Sequence, residues 1–172
     1  LGYSIVSPLT WSNEALELFY RTKGYGIPMM INSEPMAGAT SPVTLAGSLA
    51  MADAEVISGI VINQVLEPGR PCIYNIGFAH VMDMSTTQAL TGAPENALIQ
   101  AAGSEMAEYH DLPSASWALS DSLMLDSQAS YEKMMTLMAH TLSKVNLIWG
   151  IGNIESSKTI SPEIAVIDNE MI

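Results

Sequence analysis

The chain has 172 residues, 48% of them apolar, which is enough for the core of one domain. Six Lys and Arg against 18 Asp and Glu leave a formal charge of −12 and argue against nucleic acid, because few cations are available to neutralise phosphate. The acidic balance suits cationic ligands and serves solubility equally well, and the lone Cys72 excludes an internal disulfide and points to a reducing, cytoplasmic compartment.

Residues 3–7 read as a short strand ended by Pro8. Thr10 or Ser12 caps a helix over residues 13–21, which presents Ala15, Leu16, Leu18 and Phe19 and stops at Gly24. Residues 26–33 form a second apolar run that ends in Asn32, Ser33 and Glu34. Ser41 and Pro42 fall at the N-cap and first-turn positions of a long apolar helix reaching residue 66. That segment is interrupted by Asp53, Glu55, Asn63 and Gln64, so it reads as a buried helix and not a membrane span. Pro68 and Gly69 end it, and Cys72 begins a strand over residues 72–77, where a buried thiol is expected. A polar and aromatic loop over residues 78–92 precedes a helix opened by Pro94 and Glu95, and a loop of that length after a strand is usually functional. Residues 114–120 and 146–152 read as two further strands joined by a helix over residues 128–143, capped by Asp126 or Ser127. In that helix Tyr131, Met134, Met135, Met138 and Leu142 recur at three-to-four spacing and are expected to pack on the sheet, with Glu132, Thr136 and His140 on another face. Ser161 and Pro162 start a last helix with Glu163 in its first turn.

Strand and helix thus alternate about five times without reversal, and a parallel sheet with crossover helices is the economical fold. The expected class is α/β, either part of a (β/α)8 TIM barrel with about five βα units or an open doubly wound sheet. The second is weakened by Gly150–Glu155, GIGNIE, which has Glu where a dinucleotide fingerprint needs its third glycine. Leu1 is not an initiator Met and the last helix carries no stop signal, so residues 1–172 are expected to be a single domain internal to a longer chain.

Cys72, His80, His110 and His140 lack the short spacings of zinc ligands, so no metal site is expected, and each His reads as a surface or supporting residue. No nucleophile elbow or phosphate-binding loop occurs. The chemistry is expected at the strand ends, where ligands sit in parallel α/β folds. Trp117 is followed by Asp121, and Trp149 by Glu155. With Asn32, Tyr74, Phe78 and Asn153 these describe an aromatic, acid-tipped mouth suited to a small organic cation.

Four ordered strings, GATSPVTLAGSLAMADAEVISGIVINQVLEPGRPCIY, VMDMSTTQALTGAPENALI, DSQASYEKMMTLM and IESSKTISPEIAVIDNEMI, resemble the trimethylamine methyltransferase family, which includes pyrrolysine-free glycine betaine members. The resemblance spans nearly the whole chain and implies the middle portion of a TIM-barrel enzyme, a homo-oligomer when full length. It implies transfer of a methyl group from trimethylamine or a quaternary amine to the Co(I) of a corrinoid (cobalamin) carried by a partner protein, with no cofactor bound directly. Asp121 and Glu155 are then the expected catalytic acids, and Asn32, Tyr74, Phe78, Trp117, Trp149 and Asn153 the expected substrate contacts. Trimethylamine-specific members carry pyrrolysine, whereas the matching segment here, residues 123–128, has ordinary residues, which favours the quaternary-amine branch. A quaternary-amine-binding module and a non-catalytic barrel scaffold are the alternatives.

Overall fold

The computed structural model describes residues 2–172. In chain order the first half comprises β1 (Gly2–Ser4), α1 (Asn13–Arg21), β2 (Met29–Asn32), β3 (Met36–Ala37), α2 (Leu45–Leu66), β4 (Cys72–Asn75), β5 (His80–Met82) and β6 (Ala89–Leu90). The second half comprises α3 (Pro94–Tyr109), β7 (Ser114–Trp117), α4 (Ser127–Leu142), β8 (Leu147–Trp149), β9 (Asn153–Ile154), β10 (Thr159–Ile160) and α5 (Pro162–Met171). Five strands form one sheet in the order β1-β2-β4-β7-β8, every neighbouring pair parallel, so sequence order is also spatial order.

The short strands belong to loops at the carboxyl ends of the main ones. β3 pairs parallel with β5, β5 antiparallel with β6, and β9 antiparallel with β10. The loop expected over residues 78–92 therefore contains two short strands, ordered by pairing with the loop after β2.

Alternation along each strand sorts its side chains between two faces. On one face Met29, Ile31, Cys72, Tyr74 and Ile76 pack with Phe19 of α1, Ala52 and Val56 of α2 and Ala107 of α3. Further along, Ser114 and Ser116 meet Ser104 of α3 and His140 of α4 on this same side. Full burial of each large apolar member contributes about 1.5–3 kcal/mol. Close contact of α2 with β2 depends on Gly59, where a Cβ would lie 2.6 Å from Ile31 and 2.7 Å from the Trp11 ring.

Local signals explain the helix starts. Ser12, Asp126 and Ser161 accept the backbone N–H bonds expected of N-caps, and Pro94 and Pro162 open α3 and α5. α2 starts later than expected: Thr44 caps it, and the Ser41 hydroxyl bonds that of Ser48 instead, at 2.6 Å. By length and composition alone α2 could cross a membrane, but it lays Ala52, Glu55, Val56 and Asn63 against the protein.

The α4 stripe is a correction. Tyr131, Met138 and Leu142 are 77%, 57% and 78% exposed, and Met134 is exposed too, while the buried face is Ala129, Lys133, Thr136, Leu137 and His140. Helical spacing groups side chains on a face but does not say which face meets the sheet. Here polar side chains win because each has a buried partner: Thr136 its own helix, Lys133 and His140 the residues described below.

Candidate functional site

The second sheet face presents, at the carboxyl ends of the strands, Ser4, Asn32, Asn75, Trp117 and Trp149 from β1 through β8. Registration sets Ser4 beside Asn32, Asn32 beside Asn75 and Trp117 beside Trp149. The first three make a polar network. Asn75 Nδ2 donates to Asn32 Oδ1 at 2.8 Å, Asn75 Oδ1 accepts from Gly77 N at 2.7 Å, and the Ser4 hydroxyl donates to the Glu34 carboxylate.

Beyond them runs an aromatic row. The Trp117 and Trp149 indoles stack with centroids 5.4 Å apart and planes 10° from parallel, and Phe78 lies 4.1 Å from Trp117 at 41°. Trp149 remains 41% exposed, so the row offers an accessible aromatic face. Two hollows flank the network and the row: one of about 590 Å³ bordered by Ser4, Asn32, Glu34 and His80, the other of about 370 Å³ bordered by Phe78, His80, Thr91, Ser157 and Lys158. A separate cleft of about 450 Å³ at Pro113, Ser114, Lys144 and Asn146 lies at the opposite, amino-terminal end of the strands.

The expected acids have other occupations. Asp121 accepts from Thr91 N at 2.8 Å, Thr91 Oγ1 at 2.6 Å, Gly92 N at 2.9 Å and Ser156 Oγ at 2.6 Å. With its lone pairs taken, this carboxylate ties three loops across the strand ends. Glu132 supports it by accepting from Asp121 N at 2.8 Å and Ser120 Oγ at 2.7 Å. Glu155 sits at a left-handed φ of 53° after β9, and its carboxylate accepts from Thr159 Oγ1 at 2.7 Å. Asn153 opens β9, its N–H donating to Gly150 O at 3.0 Å.

Tyr74 needs the plainest correction, because it faces the helices. It is 1% exposed, its hydroxyl donates to Asp53 of α2 at 2.9 Å, and its ring stacks on His110. Burial, reinforced by the Asp53 charge, raises its pKa far above the ordinary phenol. Strand alternation puts Asn75, and not Tyr74, at the mouth. Phe78, Trp117 and Trp149 are thus brought together, Asn32 joins the polar network on the same sheet face, Tyr74 is on the other face, and Asp121, Asn153 and Glu155 belong to the loops around them.

Behind the row lies a polar layer that the sequence pattern did not single out. Gln100 Nε2 donates to Gly77 O at 2.7 Å, leaving Gln100 Oε1 to accept from His140 Nε2 at 3.1 Å, and Ser116 Oγ is 2.8 Å from the same nitrogen. Burial lowers the His140 pKa to about 4, so its ring is neutral, with the proton on Nε2. Of the two roles expected for the histidines, surface or supporting, His140 takes the supporting one, because it is fully buried. Lys133 and Asp168 form a buried ion pair at 2.9 Å.

A parallel α/β sheet with helices on one face and aromatic side chains at its carboxyl-end mouth defines a class that binds small ligands above the strand ends. Sequence comparison gives the family. Residues 3–172 match the family model described as trimethylamine methyltransferase (MTTB), and the chain belongs to that family. It is 40% identical over 166 residues to trimethylamine methyltransferase MttB of Methanosarcina barkeri (strain Fusaro / DSM 804), covering 96% of this chain and 33% of that protein. The MttB of Desulfitobacterium hafniense (strain DSM 10664 / DCB-2) is 38% identical over 168 residues, 96% of this chain and 33% of that protein. Glycine betaine methyltransferase of Desulfitobacterium hafniense (strain Y51) is 36% identical over 168 residues, with 96% and 35% covered. The chain spans about a third of the length of the curated relatives it matches.

Proposed function

We propose that this chain is a central part of a (β/α)8 barrel methyltransferase that binds a methylated amine, trimethylamine or a quaternary amine such as glycine betaine, and passes one methyl group to a corrinoid protein. Strand order without reversal, helices packed on a single face and a second face that carries half-exposed Trp149 support a barrel wall over a doubly wound sheet, whose helices cover both faces. The observation that carries the functional reading is the contiguous row Phe78, Trp117 and Trp149 at the carboxyl ends of three adjacent parallel strands, in a chain of this family.

A quaternary ammonium has no N–H to donate, so hydrogen-bond acceptors cannot orient it. Aromatic faces can, each contact being worth about 0.5–2 kcal/mol as the site is desolvated. Glu34, held at the mouth by Ser4, favours the ammonium end of such a substrate. From a quaternary ammonium, or from trimethylamine kept protonated, one N–C bond would break with its bonding pair staying on nitrogen, so that the leaving amine is neutral, and the corrinoid of the partner protein would accept the methyl group. The acceptor supplies a strong nucleophile, so the residues of this chain need only hold the methyl carbon in line and exclude water.

The test uses the full-length protein with a reduced corrinoid protein and, separately, glycine betaine and trimethylamine. Methylation seen in the cobalt absorption spectrum is expected with at least one of them. Tight amine binding with no spectral change would replace the enzyme by a binding module, and neither binding nor transfer would end the proposal.

A further inference from the structure

The polar layer behind the aromatic row contains one cluster that amine binding leaves unused. Lys133 of α4 and Asp168 of α5 have side chains only 1% and 0% exposed. The ammonium uses all three of its protons, on Ala118 O at 3.0 Å, Gly150 O at 2.7 Å and Asp168 Oδ2 at 2.9 Å. Ala118 directly follows Trp117 and Gly150 directly follows Trp149. A single buried cation therefore grips the peptide after each of the two stacked indoles.

The surrounding bonds tighten the same two points. Ala118 N donates to Trp149 O at 2.9 Å, and Asp168 Oδ2 also accepts from Gly152 N at 2.7 Å. Gly150 has a left-handed φ of 86°, and a Cβ there would come within 2.6 Å of Ala118 O and 2.7 Å of Trp117 Nε1. The Trp117 indole thus rests directly against the peptide that Lys133 holds.

Stability alone gives little reason for such a pair, since apolar side chains of similar volume usually serve a core as well or better. Desolvation lowers the Lys133 pKa, partly offset by Asp168, which marks the cost of keeping the charge there. We infer that the Lys133–Asp168 pair is a positioning device for the aromatic row: by fixing the carbonyls after Trp117 and Trp149, it sets the spacing and tilt of the indoles that receive the methylated ammonium. Lys133 touches no substrate and is a positioning residue. The inference rests on the ammonium-binding reading for its purpose, while its geometric part stands on the contacts alone.

Indole rings this close couple electronically, and the circular-dichroism couplet that a Trp149→Phe variant removes is the one assigned to this pair. The test is the Lys133→Met/Asp168→Leu double variant of the full-length protein, which removes both charges without leaving one uncompensated and so is expected to fold. Most of the couplet should disappear while the helical signal persists, and the Kd for tetramethylammonium should rise about tenfold. A double variant with couplet and affinity unchanged overturns the inference, and so does one that fails to fold, because the pair would then be holding the helix layer and not the row. Loss of the couplet in a protein whose parent binds no tetramethylammonium would leave the positioning claim standing and remove the ammonium reading instead.

Discussion

The two halves of the sheet are built in opposite ways. Under β2 and β4 the helix side is apolar, a cluster of nine buried residues that includes Phe19, Ile31, Val56 and Tyr74, while the mouth side is the polar Ser4–Asn32–Asn75 network. Under β7 and β8 the order inverts: the mouth side is aromatic, and the helix side is a layer of Ser114, Ser116, Gln100, His140, Lys133 and Asp168, with only three residues in its apolar cluster. Apolar packing is non-directional and tolerates small displacements, whereas hydrogen bonds to a buried cation fix particular backbone atoms. In the second half the buried cation holds the backbone at the carboxyl ends, directly behind the aromatic row, whereas in the first half the buried Arg70 holds Ile27 O, before β2, and Phe19 O of α1.

The largest test of this contrast is Lys133→Met alone. It strands Asp168 as an unpaired buried carboxylate and should destabilise the full-length protein by about 3–5 kcal/mol in denaturant melts. Ile31→Ala in the apolar half should cost a similar about 2–5 kcal/mol, but with no dependence on pH. A Lys133→Met loss below about 1 kcal/mol would break the comparison.

A somewhat smaller effect is expected from acid. His140 has an ordinary pKa of 6.5 and a folded value of about 4, so below pH 6.5 the unfolded chain binds a proton that the folded one refuses. Its contribution is complete above pH 6.5 and is lost as the pH falls to about 4, amounting to about 3 kcal/mol. His140→Gln should flatten that part of the stability profile, and an unaltered slope would show that other groups carry it. Next in size, Trp149→Ala should weaken tetramethylammonium binding by about 2- to 30-fold, read by calorimetry. Glu155→Gln, by contrast, removes a charge while leaving an amide oxygen to accept from Thr159, and should change stability and amine affinity by no more than about 0.5 kcal/mol.

Much of the architecture was legible because its signals are local. Ser12, Asp126 and Ser161 announce helix starts by hydroxyl or carboxylate chemistry, and the parallel sheet follows from strand and helix alternating. The convergence of Trp117 and Trp149 was legible for the same reason, as each sits near the end of an apolar run. What the sequence hides is phase and partnership. Tyr74 is one residue from Asn75, and that step moves its side chain to the other face. Asp121 looks like a free acid at a strand end until Thr91, Gly92 and Ser156 arrive from loops 29 to 35 residues distant. Lys133 sits among methionines on a helix whose apolar stripe reads as the core face, and only Asp168, 35 residues further on, makes its burial favourable.

The central claim is that the Phe78, Trp117 and Trp149 row recognises positive charge on a methylated nitrogen. The most direct measurement compares the full-length protein's affinity for glycine betaine with that for 3,3-dimethylbutyrate, which has the same shape and carboxylate but carbon in place of the ammonium nitrogen. Betaine should bind about 2- to 30-fold more tightly, and Trp149→Ala should remove most of the difference. Equal affinity for the two compounds would contradict it.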